Sequence, residues 1–261
     1  MIKFFRKIRQ NMIKENKVSK YLIYAIGEIV LVVIGILIAL QINTNSENQK
    51  KREFEITILK NIKEDILSDK VDCELNLDYI KIELTNEQRL LDFLFDENTQ
   101  PKDSISFNDA LGIDLITVFH NASFNNLQNN DIGLISNNKL YKEITRFYDF
   151  YVSALKELEN THDYGNTYDD KFIYFKKHFT VINKKIKRDF GSENDAWNQE
   201  FERYNFAIKN VEVLKKDEEF KILLAESILI NSLKVSFYQQ LFEKTENLNK
   251  SIDSELETLK K

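Results

Sequence analysis

The chain has 261 residues, a formal charge of −5, one proline, six glycines and one cysteine. Its 43% hydrophobic and 12% aromatic content excludes a disordered chain. The scarcity of proline and glycine excludes a fold of many tight hairpins and favours long helices. A lone Cys73 forms no internal disulfide and no multi-cysteine metal site.

Residues 1–20 carry seven basic side chains, Lys3, Arg6, Lys7, Arg9, Lys14, Lys17 and Lys20, against the single acid Glu15. The chain beyond the apolar block that follows is net acidic. A basic head on an acidic body argues against a nucleic-acid partner and for a head that meets the anionic surface of a lipid bilayer. Ile2, Phe4, Phe5, Ile8 and Met12 add an apolar stripe. The head therefore reads either as a short amphipathic segment lying in the membrane interface or as a plain basic flank.

Residues 21–42 read YLIYAIGEIVLVVIGILIALQI. As a helix this block reaches about 33 Å, roughly the hydrocarbon thickness of a bilayer. Tyr21 and Tyr24 sit where amphipathic rings prefer the headgroups. A cleavable signal would have a shorter apolar run and a small-x-small site, and IALQINTNS offers none. A transmembrane helix is the expectation. The basic excess before it, against Lys50, Lys51 and Arg52 after it, places the N-terminus in the cytoplasm.

Within the block, Glu28, Val32, Gly35 and Ala39 share one helical face. Gly35 and Ala39 form a small-xxx-small pair that lets another helix approach closely, and an acid at this depth costs about 2–3 kcal/mol unless it finds a partner. The face predicts self-association or contact with a partner's membrane helix. The bland alternative is a tolerated glutamate near the interface.

From Lys50 to Phe95, the residues Leu59, Ile62, Ile66, Cys73, Leu77, Ile80, Leu84, Leu91 and Leu94 recur at helical spacing, giving one or two helices, continuous with the block through Asn43–Asn48 in one reading. Pro101 ends this stretch. Ser106 and Asp109 resemble a capping box that opens a short helix running to about His120. A further short helix and a turn at Gly133 follow, then a helix from Tyr141 to Leu158. Tyr164, Tyr168, Phe172, Phe175 and Phe179 form an aromatic stripe read as core. Gly191 breaks the chain, and Trp197 to about Asn210 is expected as a shorter segment. A last helix of about 43 residues begins near Lys216; from Ile222 to Phe242 it is apolar on nearly every side, which predicts enclosure. Leu241, Leu248, Ile252, Leu256 and Leu259 continue a narrower stripe that would pair, coiled-coil-like, with Lys50–Phe95.

The run MIKFFRKIRQNMIKENKVSKYLIYAIGEIVLVVIGILIALQIN, with Gly27-Glu28 and Gly35, resembles an uncharacterised family of small membrane-anchored proteins of Bacteroidetes-type bacteria, a domain of unknown function. The stretch SFNNLQNNDIGLISNNKLYKEITRFYDFY is similar to that family's middle motif. The resemblance implies the inner membrane of a Gram-negative cell and a periplasmic domain. It carries over no catalytic residues.

No G-x-S-x-G, P-loop or H-E-x-x-H motif occurs. His162, Asp163, Asp169, Asp170 and His178 are the one cluster worth testing as a metal site. On a single helix His162 and His178 would stand about 24 Å apart, too far to share an ion. The expectation is an all-α protein: a basic cytoplasmic segment at 1–20, a transmembrane helix at 21–42, and an elongated antiparallel helical bundle at 43–261 outside the cytoplasm. No catalytic residue, cofactor or metal is expected. The functional expectation is a membrane-anchored scaffold or interaction protein of the cell envelope, or alternatively a periplasmic sensor-like bundle that binds a ligand and acts through a membrane partner.

Overall fold

The architecture is that of a computed structural model, which describes residues 18–97, 101, 104–112, 116–129, 133–160, 167–190 and 199–260. With no proline before Pro101, the chain is helical from Val18 to Phe95 (α1). It divides into two units, residues up to Glu55 and residues from Ile56, and α1 contributes to both.

In the first unit α1 carries the apolar run. The polar stretch after it stays helical because side chains bridge one turn: Gln41 donates to Asn45 at 3.2 Å, Asn43 to Glu47 at 3.0 Å and Gln49 to Glu53 at 3.1 Å.

The second unit is a helical bundle with one small sheet. After α1 come α2 (Phe107–Leu111), α3 (Ala122–Asn129), α4 (Asn138–Arg146), a π-helical turn (Phe147–Val152), α5 (Ser153–Asn160) and α6 (Tyr168–His178). Strands β1 (Phe179–Phe190) and β2 (Gln199–Ile208) follow, then α7 (Val211–Lys215) and α8 (Glu218–Leu259). Side-chain caps start several helices: Ser106 accepts from the Asp109 N–H, Asn137 from Lys139 and Leu140, Asn210 from Val213 and Asp217 from Phe220.

Helix α8 runs antiparallel to α1, as its stripe predicts. Lys63 meets Asp253, Lys70 meets Glu246, and further along Asn231 meets Glu83 and Glu87. Two apolar cores result. One joins Ile58–Ile80 of α1 to α3, α4, the π-turn, α5 and Tyr238–Leu256 of α8. The other joins Leu90–Leu94 to α2, Phe175, Phe179, Leu214 and the start of α8. Leu94 of the expected stripe is buried here together with Leu90 and Phe93, whereas Leu84 and Leu91 are half-buried.

Some segments depart from the helical periodicity. Residues 179–208 form an antiparallel ribbon, Phe179 opposite Ile208 through Phe190 opposite Gln199, with an irregularity between Ile182 and Lys185. The shorter segment expected from Trp197 to about Asn210 holds strand β2, and Trp197 itself lies outside the described residues. Tyr204, Phe206 and Ile208 repeat at period two, and Phe206 and Ile208 pack on the second core. The aromatic stripe follows suit: Phe175 and Phe179 are core, Phe172 is exposed, and Tyr164 lies outside the described residues. Helix α2 starts at the Ser106 cap but stops at Leu111, because Gly112 turns the chain with φ +80°. In α8, Leu241, Leu248, Ile252 and Leu256 are buried as expected, yet Ile222, Leu229 and Leu233 are exposed. That part of the helix is not enclosed within the chain.

Candidate functional site

Glu28, Val32, Gly35 and Ala39 all lie on α1. The large apolar side chains from Leu22 to Ile42 are 46–72% exposed, and a Cβ placed on Gly27 or Gly35 would meet nothing within 4 Å. Glu28 is half-buried. Among the described residues α1 is the one helix long and apolar enough to cross a membrane, with a mean hydropathy of 2.6 over its apolar window and none of that window buried. Lys3, Arg6, Lys7, Arg9, Lys14 and Lys17 lie outside the described residues, and Lys20 belongs to the first turn of α1.

The bundle contains ionisable groups that periodicity alone does not flag. Lys171 of α6 is fully buried. Its ammonium donates to Glu83 at 2.5 Å, to Glu87 at 2.7 Å and to the Ala110 carbonyl at 3.4 Å. Ser227 donates to Glu87 and lies 2.7 Å from Thr167, while Asn231 donates to Glu83 at 3.1 Å and to Glu87 at 2.9 Å. Burial opposes the charge on Lys171, but Glu83 and Glu87 outweigh it and hold the ammonium above its ordinary pKa. Burial pushes Glu83 up more than Lys171 pulls it down, and Glu87 adds to the rise.

A second buried acid, Glu159 of α5, accepts from the Thr117 N–H at 2.9 Å, from the Thr117 hydroxyl at 2.8 Å and from the Tyr238 hydroxyl. Asn76 donates to Thr117 at 2.9 Å. Nearby Cys73 is buried, and burial drives its thiol pKa far up, which makes it a poor nucleophile. A third acid, Asp69, accepts from the His120 N–H at 3.0 Å and contacts its ring Nδ1 at 2.6 Å. Burial raises Asp69, whereas the hydrogen bond to Asp69 raises His120 above its ordinary value. At the start of α8, Asp217 holds both Lys177 and His178 at 2.6 Å.

The sequence does carry a signal for two of these acids. Asp69 falls in phase between Ile66 and Cys73, and Glu87 in phase between Ile80 and Leu94, so each is an acid inside an apolar stripe. Lys171, by contrast, reads as an ordinary residue of a charged helix.

Of the histidine cluster weighed as a metal site, His162 and Asp163 lie outside the described residues and His178 is held by Asp217. Among the described residues no group of three His, Cys, Asp or Glu is arranged to hold a metal ion. Compared with known families, curated proteins and solved structures, the chain gave no match in any of the three. On its surface, α4, the π-turn and α8 frame a depression of about 280 Å³ lined by Glu143, Arg146, Phe147, Tyr151, Lys244 and Ser251. Its walls are largely apolar, with Phe147, Tyr151 and Leu248 beside the charged side chains, and no nucleophile–base pair is among them.

Proposed function

We propose that the chain is a single-pass, membrane-anchored helical scaffold or interaction protein of the cell envelope, with no catalytic role. The observation that carries this reading is the apolar run of α1, whose large side chains stand uncovered along the whole of Leu22–Ile42. Apolar surface on that scale is stable against lipid or against another apolar helix, not against water. The basic excess before the run supports a cytoplasmic N-terminus and a periplasmic bundle at an inner membrane, and the family resemblance of the N-terminal run points the same way.

The face of Glu28, Val32, Gly35 and Ala39 is the contact surface in this reading, toward a second copy or the membrane helix of another protein. Gly35 and Ala39 permit close backbone approach, and the Glu28 carboxyl lies on the same face, where a polar group within the bilayer favours contact with another helix. The test uses membranes of cells expressing the full chain. We expect it to resist carbonate extraction, to dissolve in detergent, and to crosslink to a partner within the bilayer. Release by carbonate overturns the anchor, and absence of any crosslinked partner overturns the scaffold reading. A reporter fused at Lys261 that is active in the cytoplasm overturns the orientation.

A second reading, a sensor-like bundle that binds a ligand and acts through a membrane partner, is favoured by the buried, unpartnered oxygens around Asp69.

A further inference from the structure

Five buried side-chain oxygens lack a hydrogen-bond partner among the described residues: Asp65 Oδ2, Asp69 Oδ2, Asn121 Oδ1, Tyr148 OH and Asn249 Oδ1. Native interiors leave few such atoms, and these are not scattered. Asp65 and Asp69 are one turn apart on α1 and face the same way. The ion pairs Lys63–Asp253 and Lys70–Glu246 bracket them and fix the stretch of α8 that lies opposite, which contains Asn249. Asn121 follows His120, whose backbone and ring both bond to Asp69. The Tyr148 hydroxyl lies within electrostatic reach of both Asp69 and Asp65. All five oxygens thus belong to one level of the bundle.

Four of the five are pure acceptors, and the fifth, a phenol on a side chain only 3% exposed, has no partner for its own proton. Unpartnered acceptors therefore outnumber unpartnered donors at this level. It is also rich in negative charge: Asp65, Asp69 and Asp72 face the single imidazole of His120, while Lys63 and Lys70 are engaged by Asp253 and Glu246. Water would supply donors without charge. A bare metal ion would need at least three converging ligands of the His, Cys, Asp or Glu type, and no such group exists among the described residues. What fits is a cation that brings its own donors. His120 marks the outer edge of this level: its side chain is 51% exposed, whereas the Asp69 side chain it bonds is 4% exposed.

We infer that the bundle binds a small donor-bearing cation, a protonated amine or a hydrated metal ion, between Asp65, Asp69 and Tyr148, with His120 at the rim. This stands apart from the membrane-partner reading, since it concerns only residues from Ile56 onward. It would supply the ligand that the sensor reading needs.

The test is thermal melting and calorimetric titration of the full chain in detergent micelles. The probes are ethylammonium chloride, calcium chloride and magnesium chloride, at ionic strength held constant with tetramethylammonium chloride, a cation without donors. We expect a saturable rise in melting temperature with a donor-bearing cation and none with tetramethylammonium. Response to ethylammonium alone identifies an amine site, and response to calcium or magnesium identifies a hydrated metal. Asp65→Asn and Asp69→Asn should weaken binding about tenfold or more. Tyr148→Phe, which keeps the ring stacked on Phe124 at 4.4 Å, should weaken it several-fold. No saturable response, an equal response to tetramethylammonium, or undiminished binding by Asp65→Asn and Tyr148→Phe overturns the site. These two variants keep the test decisive even where Asp69→Asn fails to fold.

Discussion

Lys171 and Glu87 lie 84 residues apart in sequence and meet at 2.7 Å with neither side chain exposed to solvent. A lysine removed from water is tolerated only where its donors are met, and here two carboxylates and the Ala110 carbonyl meet them. The contact ties α6 to α1, and Asn231 and Ser227 of α8 complete it.

Lys171→Met leaves two buried carboxylates facing each other without a cation. The expected loss is about 3–5 kcal/mol in equilibrium unfolding of the detergent-solubilised chain. Adding Glu83→Gln and Glu87→Gln to that variant removes the uncompensated charge and should recover much of the loss. If the triple variant is less stable than Lys171→Met alone, the buried charge is not the cause.

Gly112 serves the same cluster from the other side. Its φ of +80° disfavours any side chain, and a Cβ there would run into the Glu83 carboxyl well inside van der Waals contact. Gly112→Ala should cost about 1–3 kcal/mol and loosen the packing at Lys171. Gly133→Ala meets nothing within 4 Å and should change stability by less than about 0.5 kcal/mol. Equal effects of the two substitutions, measured by urea unfolding, would contradict the close approach.

Asp217 caps α8, accepting from the Phe220 N–H at 3.1 Å, and holds Lys177 and His178. Burial pushes this carboxyl up, but the hydrogen bonds from Lys177, His178 and Phe220 outweigh that and bring its pKa down to about 2. A carboxyl lowered in the folded state adds stability that is fully present above its ordinary value near 3.8 and lost as pH falls toward 2. Unfolding measured between pH 5 and pH 2 should show that loss, and Asp217→Asn should flatten the curve in this window. The variant keeps an N-cap side chain but should lose about 1 kcal/mol at neutral pH, because an amide bonds Lys177 and His178 more weakly than a carboxylate does.

Within α1, Glu28→Leu and Gly35→Leu address the proposed contact face. At Gly35 a Cβ meets nothing within 4 Å, so a side chain there is accommodated within the chain. Both should lower the yield of crosslinked partner in native membranes at equal expression, Gly35→Leu through bulk and Glu28→Leu through loss of the polar contact. Unchanged yields for both would remove the role of this face and leave the anchor itself intact.

Long-period features were legible in the sequence because a helix repeats its burial every three to four residues. The apolar run, the pairing stripe of α8 and the Ser106 cap all come directly from residue type and spacing. The end of α2 was not legible, since the dihedral angle that stops it belongs to Gly112 in its packed setting against Glu83. The ribbon was not legible either. Phe175 and Phe179 stand four apart and suit a helix, yet Phe179 opens β1, because pairing with Ile208 across the sheet outweighs local spacing.

The sequence by itself determined the apolar helix, the helical class of the bundle and the antiparallel partnership of its two longest helices, all of which follow from patterns internal to single segments. Only the tertiary structure decided which charges go inside. Lys171, Glu83 and Glu159 look like surface residues of charged helices, Asp69 and Glu87 fall inside apolar stripes, and the burial of all five depends on partners that lie tens of residues away or more. A charge is stable in the interior only when a distant segment delivers its counterpart, and that delivery is a property of the assembled bundle rather than of any one helix.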